Sequence, residues 1–448
     1  MTVVTRRCRS LSAIALLNVA VLVPFAGVAH AQSQSFPAPE RRKIQDMLDA
    51  VRKKIAEKYY DSTYGGANLQ SAYDSASAHI RNAVAPDGAL GAIAWFALQL
   101  NDSHTYFAPP SQTMSVDYGW NMAMFGDSCF VISVKPESDA ARQGVRVGDQ
   151  LVSVNGLTIT RDNLWQLNYL YRLLRPQPRL QVAMRAPGSE VRVFDLAAKV
   201  RQRSAIVDLT GSDGGRDINQ MLRDGNNDRE STEGQYVEYG DQVIIWKMPT
   251  FIVPLEQVRD AINRARKRNA LVIDLRGNGG GYVQAMLELV KQVSRDSVVI
   301  GTTRERRKKS PLVAKAGGAD AYAGKLFVLV DSRSASASEI FARTMQLSGR
   351  GKVIGDRTAG AVMVSLLHSL SVGMETRIFF GVQVTDADVI MRDGGRLERV
   401  GVEPDELLLP TSTDLAAKRD PVLARALTLA GVPTDAAKAG ALFMEKKR

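Results

Sequence analysis

One short turn is rich in serine and could carry a reactive hydroxyl group: Ser334-Ala335-Ser336-Ala337-Ser338-Glu339. It follows an apolar stretch and precedes another with helical spacing, so it predicts a strand-to-helix turn. Small neighbours leave the Ser336 hydroxyl accessible, as a serine nucleophile requires. Ser336 and Glu339 also have the Ser-x-x-Glu spacing of a helix capping box, so capping and catalysis both stay open for this serine.

A second turn, Asp274-Leu275-Arg276-Gly277-Asn278-Gly279-Gly280-Gly281, follows another apolar stretch. Its glycines permit positive φ and close approach of the main chain, which an anion site made of backbone N–H groups needs. Tight loops without any chemistry use the same residues. If both turns lie at the carboxyl ends of parallel strands, the helices that follow them present free N–H groups at one edge of the sheet.

Histidine is scarce, and His104 stands in a distinctive loop, Asp102-Ser103-His104-Thr105-Tyr106-Phe107. An imidazole titrates near neutral pH and can take and return a proton, whereas a purely local hydrogen bond is the alternative role. Cys129 lies in a strand-like stretch that favours a buried thiol over a nucleophile. The sequence has no His-x-x-x-His, HExxH or Cys-His ligand spacing, so we expect neither a metal nor a cofactor.

The elements that must position these residues follow from hydrophobic periodicity. In the C-terminal half, strands alternate with helices, and the predicted elements are strands 243–248, 271–275 and 326–330 and helices 255–266, 282–293 and 340–347. This alternation predicts a mixed, largely parallel sheet covered on both faces. A polar segment, residues 211–234, predicts a loop or insertion ahead of it.

The N-terminal half has a different pattern. Helical spacing predicts helices near residues 40–61, 68–84 and 89–100, and short strands with Gly-containing turns follow from about 118 to 200. The composition, 45% hydrophobic and 23% charged over 448 residues, is that of a globular protein with two or three domains.

The first 31 residues predict a secretory signal peptide. Arg6, Arg7 and Arg9 precede an apolar run from residue 11 to 28, and Ala29-His30-Ala31 has small residues at cleavage-site spacing. A membrane anchor is the alternative, but the run contains Asn18 and Pro24 and is about the minimum length for a span. We therefore expect a periplasmic or secreted protein.

The chain is basic, with a formal net charge of +11. The cluster at residues 304–309 has no interleaved aromatic residues, which favours a solvated loop over a nucleic-acid site. Peripheral contact with an anionic membrane stays open, and the oligomeric state is not predicted.

One segment resembles the central signature of PDZ domains. Residues 144–156, with the Gly-Asp turn at 148–149 and the strand ending in Asn155-Gly156, carry this resemblance. It implies that an extended peptide is added as a strand and that backbone N–H groups hold its terminal carboxylate. The corresponding loop lacks the usual Gly-rich form, and its residues are Tyr118, Gly119, Trp120 and Met122.

The two turns, in this order, are similar to the core of the C-terminal processing (tail-specific) protease family. The helical segment, the Asp-Ser-His-Thr loop, the PDZ segment, both turns and Gly355-Asp356-Arg357-Thr358-Ala359-Gly360 all occur in family order. The resemblance implies an α/β catalytic core, a mixed sheet of ClpP/crotonase-like type, with an N-terminal helical domain and an inserted PDZ-like β domain. The expected domains are the signal peptide 1–31, the helical domain 38–113, the PDZ-like domain 114–200 and the peptidase core 201–448.

One departure from the family bears on the mechanism. Where the serine-lysine branch has its lysine base, the chain has Ala361, which cannot accept a proton. The tricorn-like branch instead uses an upstream Ser-His pair and a glutamate shortly before Gly-Val-x-Pro-Asp, which here is residues 401–405. This resemblance implies Ser336 as nucleophile, His104 as general base, Ser103 and Glu398 as the groups that orient it, and Gly280 and Ala337 as oxyanion donors.

The expected function is therefore an exported serine endopeptidase that recognises the C-termini of peptide or protein substrates through its PDZ domain. A catalytically inactive, PDZ-containing peptide-binding scaffold is the main alternative, because the lysine is missing. A carrier of apolar ligands on a related core is the third.

Overall fold

The computed structural model describes residues 36–110, 114–202, 234–373 and 377–443. The predicted signal peptide and the polar segment, apart from Gly234, lie outside these ranges. Of the helices within them, none is both long enough and apolar enough to cross a membrane.

Three helices open the described chain: α1 Ala38–Lys58, α2 Leu69–Asn82 and α3 Pro86–Leu98. They agree with the predicted helices to within a few residues. Helix α1 buries the apolar residues whose spacing predicts it, namely Ile44, Met47, Leu48, Val51 and Ile55. Helix α3 begins at a proline, whose fixed φ suits a first helical turn. A short strand, β1 Tyr106–Ala108, follows the His104 loop.

Residues 114–202 form a small β domain. Its strands are β2 Met114–Asp117, β3 Trp120–Phe125, β4 Ser128–Val134, β5 Gln150–Val154, β6 Leu157–Thr158, β7 Arg179–Arg185, β8 Val191–Ala197 and β9 Lys199–Gln202. Its helices are α4 Asp139–Arg142 and α5 Leu164–Asn168, the latter continued by a π-helical turn, Tyr169–Leu174. The antiparallel order is β3-β4-β5-β7-β8, so β3 lies at one edge of the sheet.

The rest of the chain supplies ten strands and six helices within the described residues. The strands are β10 Gln235–Tyr239, β11 Val243–Lys247, β12 Ala270–Asp274, β13 Val298–Glu305, β14 Lys309–Ala314, β15 Lys325–Val330, β16 Lys352–Gly355, β17 Met363–Val372, β18 Ile378–Met391 and β19 Glu406–Leu407. The helices are α6 Leu255–Ala265, α7 Val283–Val293, α8 Ala337–Ser348, α9 Ser412–Ala416, α10 Pro421–Ala430 and α11 Ala436–Ala441.

The main sheet has six strands in the order β10-β11-β12-β15-β16-β19, and every pairing except β10 with β11 is parallel. Alternate residues of β11 and β12 face opposite clusters, one with α6, α7 and α8 and the other with α10 and α11. The predicted mixed α/β sheet covered on both faces is confirmed. Helix α8 begins three residues before its predicted start, because the small residues of the Ser336 turn carry no hydrophobic periodicity.

A second sheet has five antiparallel strands: β18 pairs with β1, β13 and β17, and β13 pairs with β14. The sequence analysis does not predict it, because strands such as β17 are only partly buried and lack a continuous apolar run. Strand β1 pairs Tyr106 with Gln383, so this sheet brings the His104 loop to the C-terminal half of the chain.

Candidate active site

Ser336 lies on the turn between β15 and α8 with φ 55° and ψ −118°, a conformation that residues other than glycine seldom adopt. Its N–H donates to the carbonyl of Ala361 at 2.8 Å and to Glu339 Oε2 at 3.0 Å. These two acceptors hold the turn in its strained shape, as expected where a nucleophile projects from a sharp strand-to-helix turn. The residue is partly exposed, so a substrate can reach it.

The capping box predicted for Ser336 and Glu339 is present. The Glu339 carboxylate accepts the Ser336 N–H, and the Ser336 side chain faces the Glu339 N–H. The N–H groups of Glu339 and Ile340 also have a main-chain acceptor, the Ser336 carbonyl, at 2.9 and 3.1 Å. A capping role of this serine is therefore compatible with a catalytic one.

The buried carboxylate of Glu339 is surrounded by donors. Oε1 accepts from Thr358 Oγ1 at 2.5 Å and from the Gly360 N–H at 2.8 Å, and Oε2 accepts from the Ala361 N–H at 2.9 Å besides that of Ser336. Burial raises the pKa of Glu339 to about 7, although these hydrogen bonds act in the opposite direction. This side chain ties the Ser336 turn to the loop that contains Ala361.

The glycine-rich turn after β12 lies directly against the Ser336 turn. A Cβ added to Gly280 would lie 2.7 Å from Ser336 Cβ, 2.9 Å from the Ala335 carbonyl oxygen and 3.1 Å from Ala337 N, so only glycine fits. The two predicted oxyanion donors, Gly280 and Ala337, are therefore neighbours. However, the Gly280 N–H already donates to Asn278 Oδ1 at 2.9 Å, so this donor is engaged by the turn itself.

The loop that carries His104 is shaped by Asp102. Asp102 Oδ1 accepts from the N–H of His104 at 2.8 Å, from that of Thr105 at 2.6 Å and from Thr385 Oγ1 on β18 at 2.9 Å. The first two bonds form the local turn that aspartate favours, and the third fixes this turn to the second sheet. His104 is consequently buried, with 6% of its surface exposed.

Ser103, His104 and Glu398 form a continuous relay. Ser103 Oγ donates to Glu398 Oε2 at 2.8 Å and lies 2.7 Å from His104 Nδ1. Because the only hydroxyl proton of Ser103 is used on the carboxylate, Nδ1 must carry a proton and donate to Oγ. In the neutral imidazole, Nε2 is then the unprotonated nitrogen that can accept a proton.

The relay is joined to the nucleophile turn through two consecutive residues. Val362 N–H donates to Glu398 Oε2 at 2.9 Å, and the carbonyl of Ala361 accepts the Ser336 N–H. Within the described residues, the imidazole of His104 and the Ser336 hydroxyl are not hydrogen-bonded to each other; catalytic contacts of this kind often tighten only when substrate is bound. Position 361 therefore contributes its main-chain carbonyl to the site, whereas the serine-lysine branch has its lysine base there.

The predicted peptide-carboxylate loop is built differently from its prediction. The side chains of Tyr118 and Trp120 are 1% and 3% exposed and belong to the core of the β domain. Gly119 donates its N–H to Asp117 Oδ1 and accepts the Lys135 N–H. Both backbone groups of Gly119 are therefore engaged. Among the four predicted residues, Met122 is partly exposed.

Edge strand β3 contacts the catalytic core near the Ser336 turn. Ser332 Oγ donates to the Met124 carbonyl at 2.6 Å, and the Gly126 N–H donates to Asp356 Oδ2 at 3.0 Å. Arg161 donates to the Gly126 carbonyl at 2.7 Å and pairs with the Asp356 carboxylate. The β domain is thus joined to both loops that flank Ser336.

Sequence reasoning assigned no catalytic role to Asp102, Glu339 or Val362. The Asp-x-His and Ser-x-x-Glu spacings were available signals for the first two, whereas a backbone donor such as Val362 leaves no signal in side-chain patterns. Within the described ranges, no group of three or more His, Cys, Asp or Glu residues could hold a metal ion.

Two family models match the chain: peptidase family S41 over residues 245–408 and the PDZ domain over residues 130–185. The second match lies inside the predicted PDZ-like domain, 114–200. The chain is 25% identical over 342 residues to a tail-specific protease of Haemophilus influenzae, covering 72% of this chain and 45% of that protein.

Two further similarities cover more of the molecule. A chloroplastic C-terminal processing peptidase of Tetradesmus obliquus is 25% identical over 397 residues, which is 84% of this chain and 80% of that protein. The crystal structure of mature CPAF has a TM-score of 0.64 at 15% identity, over 85% of this chain and 95% of that one, and this likeness shows the shared fold. Residues 245–408 thus match a family of serine peptidases, S41, and the PDZ match lies between the helical segment and the main sheet.

Proposed function

We propose that the chain is an exported serine endopeptidase that cleaves peptide bonds in protein substrates, with Ser336 as nucleophile and His104 as general base. The observation that carries this proposal is the relay from Glu398 through Ser103 to His104, with contacts of 2.8 and 2.7 Å. It leaves Nε2 as the unprotonated ring nitrogen, which is the form a general base needs.

In the proposed cycle, His104 Nε2 takes the Ser336 proton as Oγ attacks the peptide carbonyl carbon. The proton then goes to the leaving amine as the C–N bond breaks, and water repeats both steps on the acyl-enzyme. The oxyanion forms against the Ala337 N–H and the glycine-rich turn, where the Gly280 N–H exchanges Asn278 Oδ1 for the substrate oxygen. Loss of one such donor typically costs about 3 kcal/mol of transition-state stabilisation.

Recognition of substrate C-termini is assigned to the PDZ domain. An extended peptide can add to an edge strand through main-chain hydrogen bonds, and β3 is such an edge. Its carbonyls at Trp120 and Met124 accept from Arg172 and Ser332, so an incoming peptide has to replace these donors. The site is thus a backbone ladder along β3, in place of the loop at Tyr118 and Gly119.

A serine-reactive fluorophosphonate probe tests the proposal. We expect the wild-type chain to be labelled, Ser336→Ala to be unlabelled and His104→Ala to react at least about 100-fold more slowly, because the hydroxyl then lacks its base. Ser348→Ala is the matched control, since that hydroxyl donates to the Thr344 carbonyl at 2.7 Å within α8. A folded wild-type chain that is neither labelled nor cleaves an unfolded protein library would support the inactive scaffold.

Export is tested separately. N-terminal sequencing of the protein from cell fractions should find Gln32 as the first residue, in the periplasm or the medium, if the leader is cleaved after Ala31. A full-length chain retained in the cytoplasm would contradict this part of the proposal.

A further inference from the structure

Two residues beside the relay adopt left-handed backbone conformations and bind each other. Asn101 has φ 53° and Arg399 has φ 62°. Arg399 Nε donates to the Asn101 carbonyl at 3.3 Å, and its Nη2 donates to Asn101 Oδ1 at 3.1 Å. Arginine seldom adopts this backbone region, so surrounding contacts must hold it there.

The main chain of Arg399 supplies one of those contacts. Its N–H donates to the Gly360 carbonyl at 2.8 Å, and a Cβ added to Gly360 would lie 3.1 Å from the Arg399 carbonyl carbon. Gly360 belongs to the loop whose N–H groups bind Glu339 and whose next residue accepts the Ser336 N–H. The Arg399 backbone is therefore fixed to the nucleophile side of the site.

Two consecutive residues, Glu398 and Arg399, thus each join the His104 loop to the loop at residues 360–362. Glu398 reaches Ser103 on the base loop and Val362 on the nucleophile loop, and its side chain is 12% exposed. Arg399 reaches Asn101 and Gly360 on those same loops, and its side chain is 36% exposed. The bridge through Glu398 is mostly buried, and the bridge through Arg399 is more exposed to solvent.

We infer that Arg399 is a positioning residue for the proposed peptidase reaction, holding the base loop against the nucleophile loop through its fork onto Asn101. The planar guanidinium offers two donors in fixed geometry, which a lysine ammonium cannot reproduce. A displacement of about 1 Å between the reacting groups is enough to lower the rate roughly 100-fold. Loss of a second bridge beside the relay should therefore lower the rate.

The guanidinium also lies beside the relay itself. Arg399 Nε is 3.9 Å from Glu398 Oε1, the carboxylate that holds Ser103.

Steady-state kinetics and melting temperatures of Arg399→Ala and Arg399→Lys test this role. For Arg399→Ala we expect kcat to fall roughly 10-fold or more with KM within about 2-fold and no matching change in melting temperature. For Arg399→Lys we expect a similar fall in kcat, because a lysine ammonium cannot form the fork. Arg343→Ala removes a comparable arginine, bound to Asp393 Oδ2 at 2.7 Å, and should change neither kcat nor KM.

The inference rests on the proposed function, and the outcomes keep the two apart. A wild-type chain that hydrolyses no peptide would refute the peptidase and this inference with it. An active wild type whose kcat is retained in Arg399→Ala refutes the positioning role alone. A fall in kcat that is matched by a fall in melting temperature in each variant would show a general structural role and also refute it.

Discussion

Two buried or nearly buried glutamates hold the site from opposite sides. Glu398 accepts from Ser103 and Val362, while Glu339 accepts from Ser336 and Ala361. The two carboxylates therefore accept from consecutive N–H groups: Glu339 from that of Ala361 and Glu398 from that of Val362. Each is satisfied by backbone and hydroxyl donors, which suits a carboxylate removed from water.

The raised pKa of Glu339 makes stability depend on pH. Because its pKa is about 7 in the folded chain against 4.5 for an ordinary glutamate, the unfolded chain loses this proton first as pH rises. The free energy of unfolding therefore falls between those two values, by on the order of 3 kcal/mol. Glu339→Gln lacks this dependence, so the melting-temperature advantage of the wild type over it should shrink from pH 5 to pH 7.5.

Glu288→Gln is the control for that titration. Burial opposes the change, but hydrogen bonds from Arg259 and Gln292 lower the pKa of Glu288, so the stability that this carboxylate contributes is lost only at more acidic pH. Its melting-temperature difference from the wild type should stay constant between pH 5 and pH 7.5. A constant difference for Glu339→Gln as well would contradict the raised pKa.

At the scale of elements, the site depends on two strand-to-helix turns that pack against each other. The turn after β12 presents Gly280 to the turn after β15, which carries Ser336. Both strands belong to the parallel part of the main sheet and are adjacent in it, so their carboxyl ends lie at the same edge. Parallel pairing thus converts two distant sequence motifs into one surface.

Gly280→Ala tests this packing. The glycine has φ +98°, and the new methyl group would lie 2.7 Å from Ser336 Cβ and 2.9 Å from a backbone oxygen. Strain and overlap together should destabilise the fold by about 2–4 kcal/mol and displace the Ser336 turn, which removes fluorophosphonate labelling.

Gly394→Ala is the matched control for Gly280→Ala. It has φ +82° but nothing within 4 Å of an added Cβ, so only conformational strain of about 1 kcal/mol is expected, with labelling retained. Normal labelling of Gly280→Ala would contradict the close approach of the two turns.

At the scale of the whole molecule, the PDZ domain is joined to the α/β core at the loops that flank Ser336. The ion pair between Arg161 and Asp356 is central to this joint, since their side chains are only 12% and 4% exposed. Arg161 also donates to the carbonyls of Gly126 and Arg357. The contacts of Arg161 therefore connect the end of strand β3 to the loop at Asp356, which flanks Ser336.

Arg161→Ala should loosen this joint. Breaking a buried pair by removing one partner leaves the Asp356 charge uncompensated and costs roughly 3–5 kcal/mol. We expect calorimetry to show separate transitions for the PDZ domain and the core, and kcat to fall.

Arg179→Ala removes the other kind of ion pair, an exposed one with Asp195, where the side chains are 55% and 62% exposed. Such pairs contribute about 0–1 kcal/mol, so the unfolding profile should not change. A single wild-type-like transition for Arg161→Ala would contradict a structural coupling of the two domains.

The agreement between sequence and structure is greatest where local signals suffice. The spacing of Ile44, Met47, Leu48, Val51 and Ile55 predicts α1, and the continuous apolar runs predict β11, β12 and β15. It is weakest for the second sheet, where strands such as β17 are only partly buried and lack a continuous apolar run. The burial of Tyr118 and Trp120 was also not predicted, because side-chain burial in a small domain depends on neighbours that are distant in sequence.

The amino-acid sequence by itself determined which groups are available for chemistry: the Ser336 hydroxyl, the His104 imidazole and the Glu398 carboxylate. It also determined that no lysine stands at position 361. Only the tertiary structure decided how they meet. Ser103 and Glu398 are 295 positions apart, and their contact exists because β1 pairs with β18 and brings the helical segment onto the core. A local pattern records what a residue can donate or accept, whereas the distance between two such groups is set by the packing of every element between them.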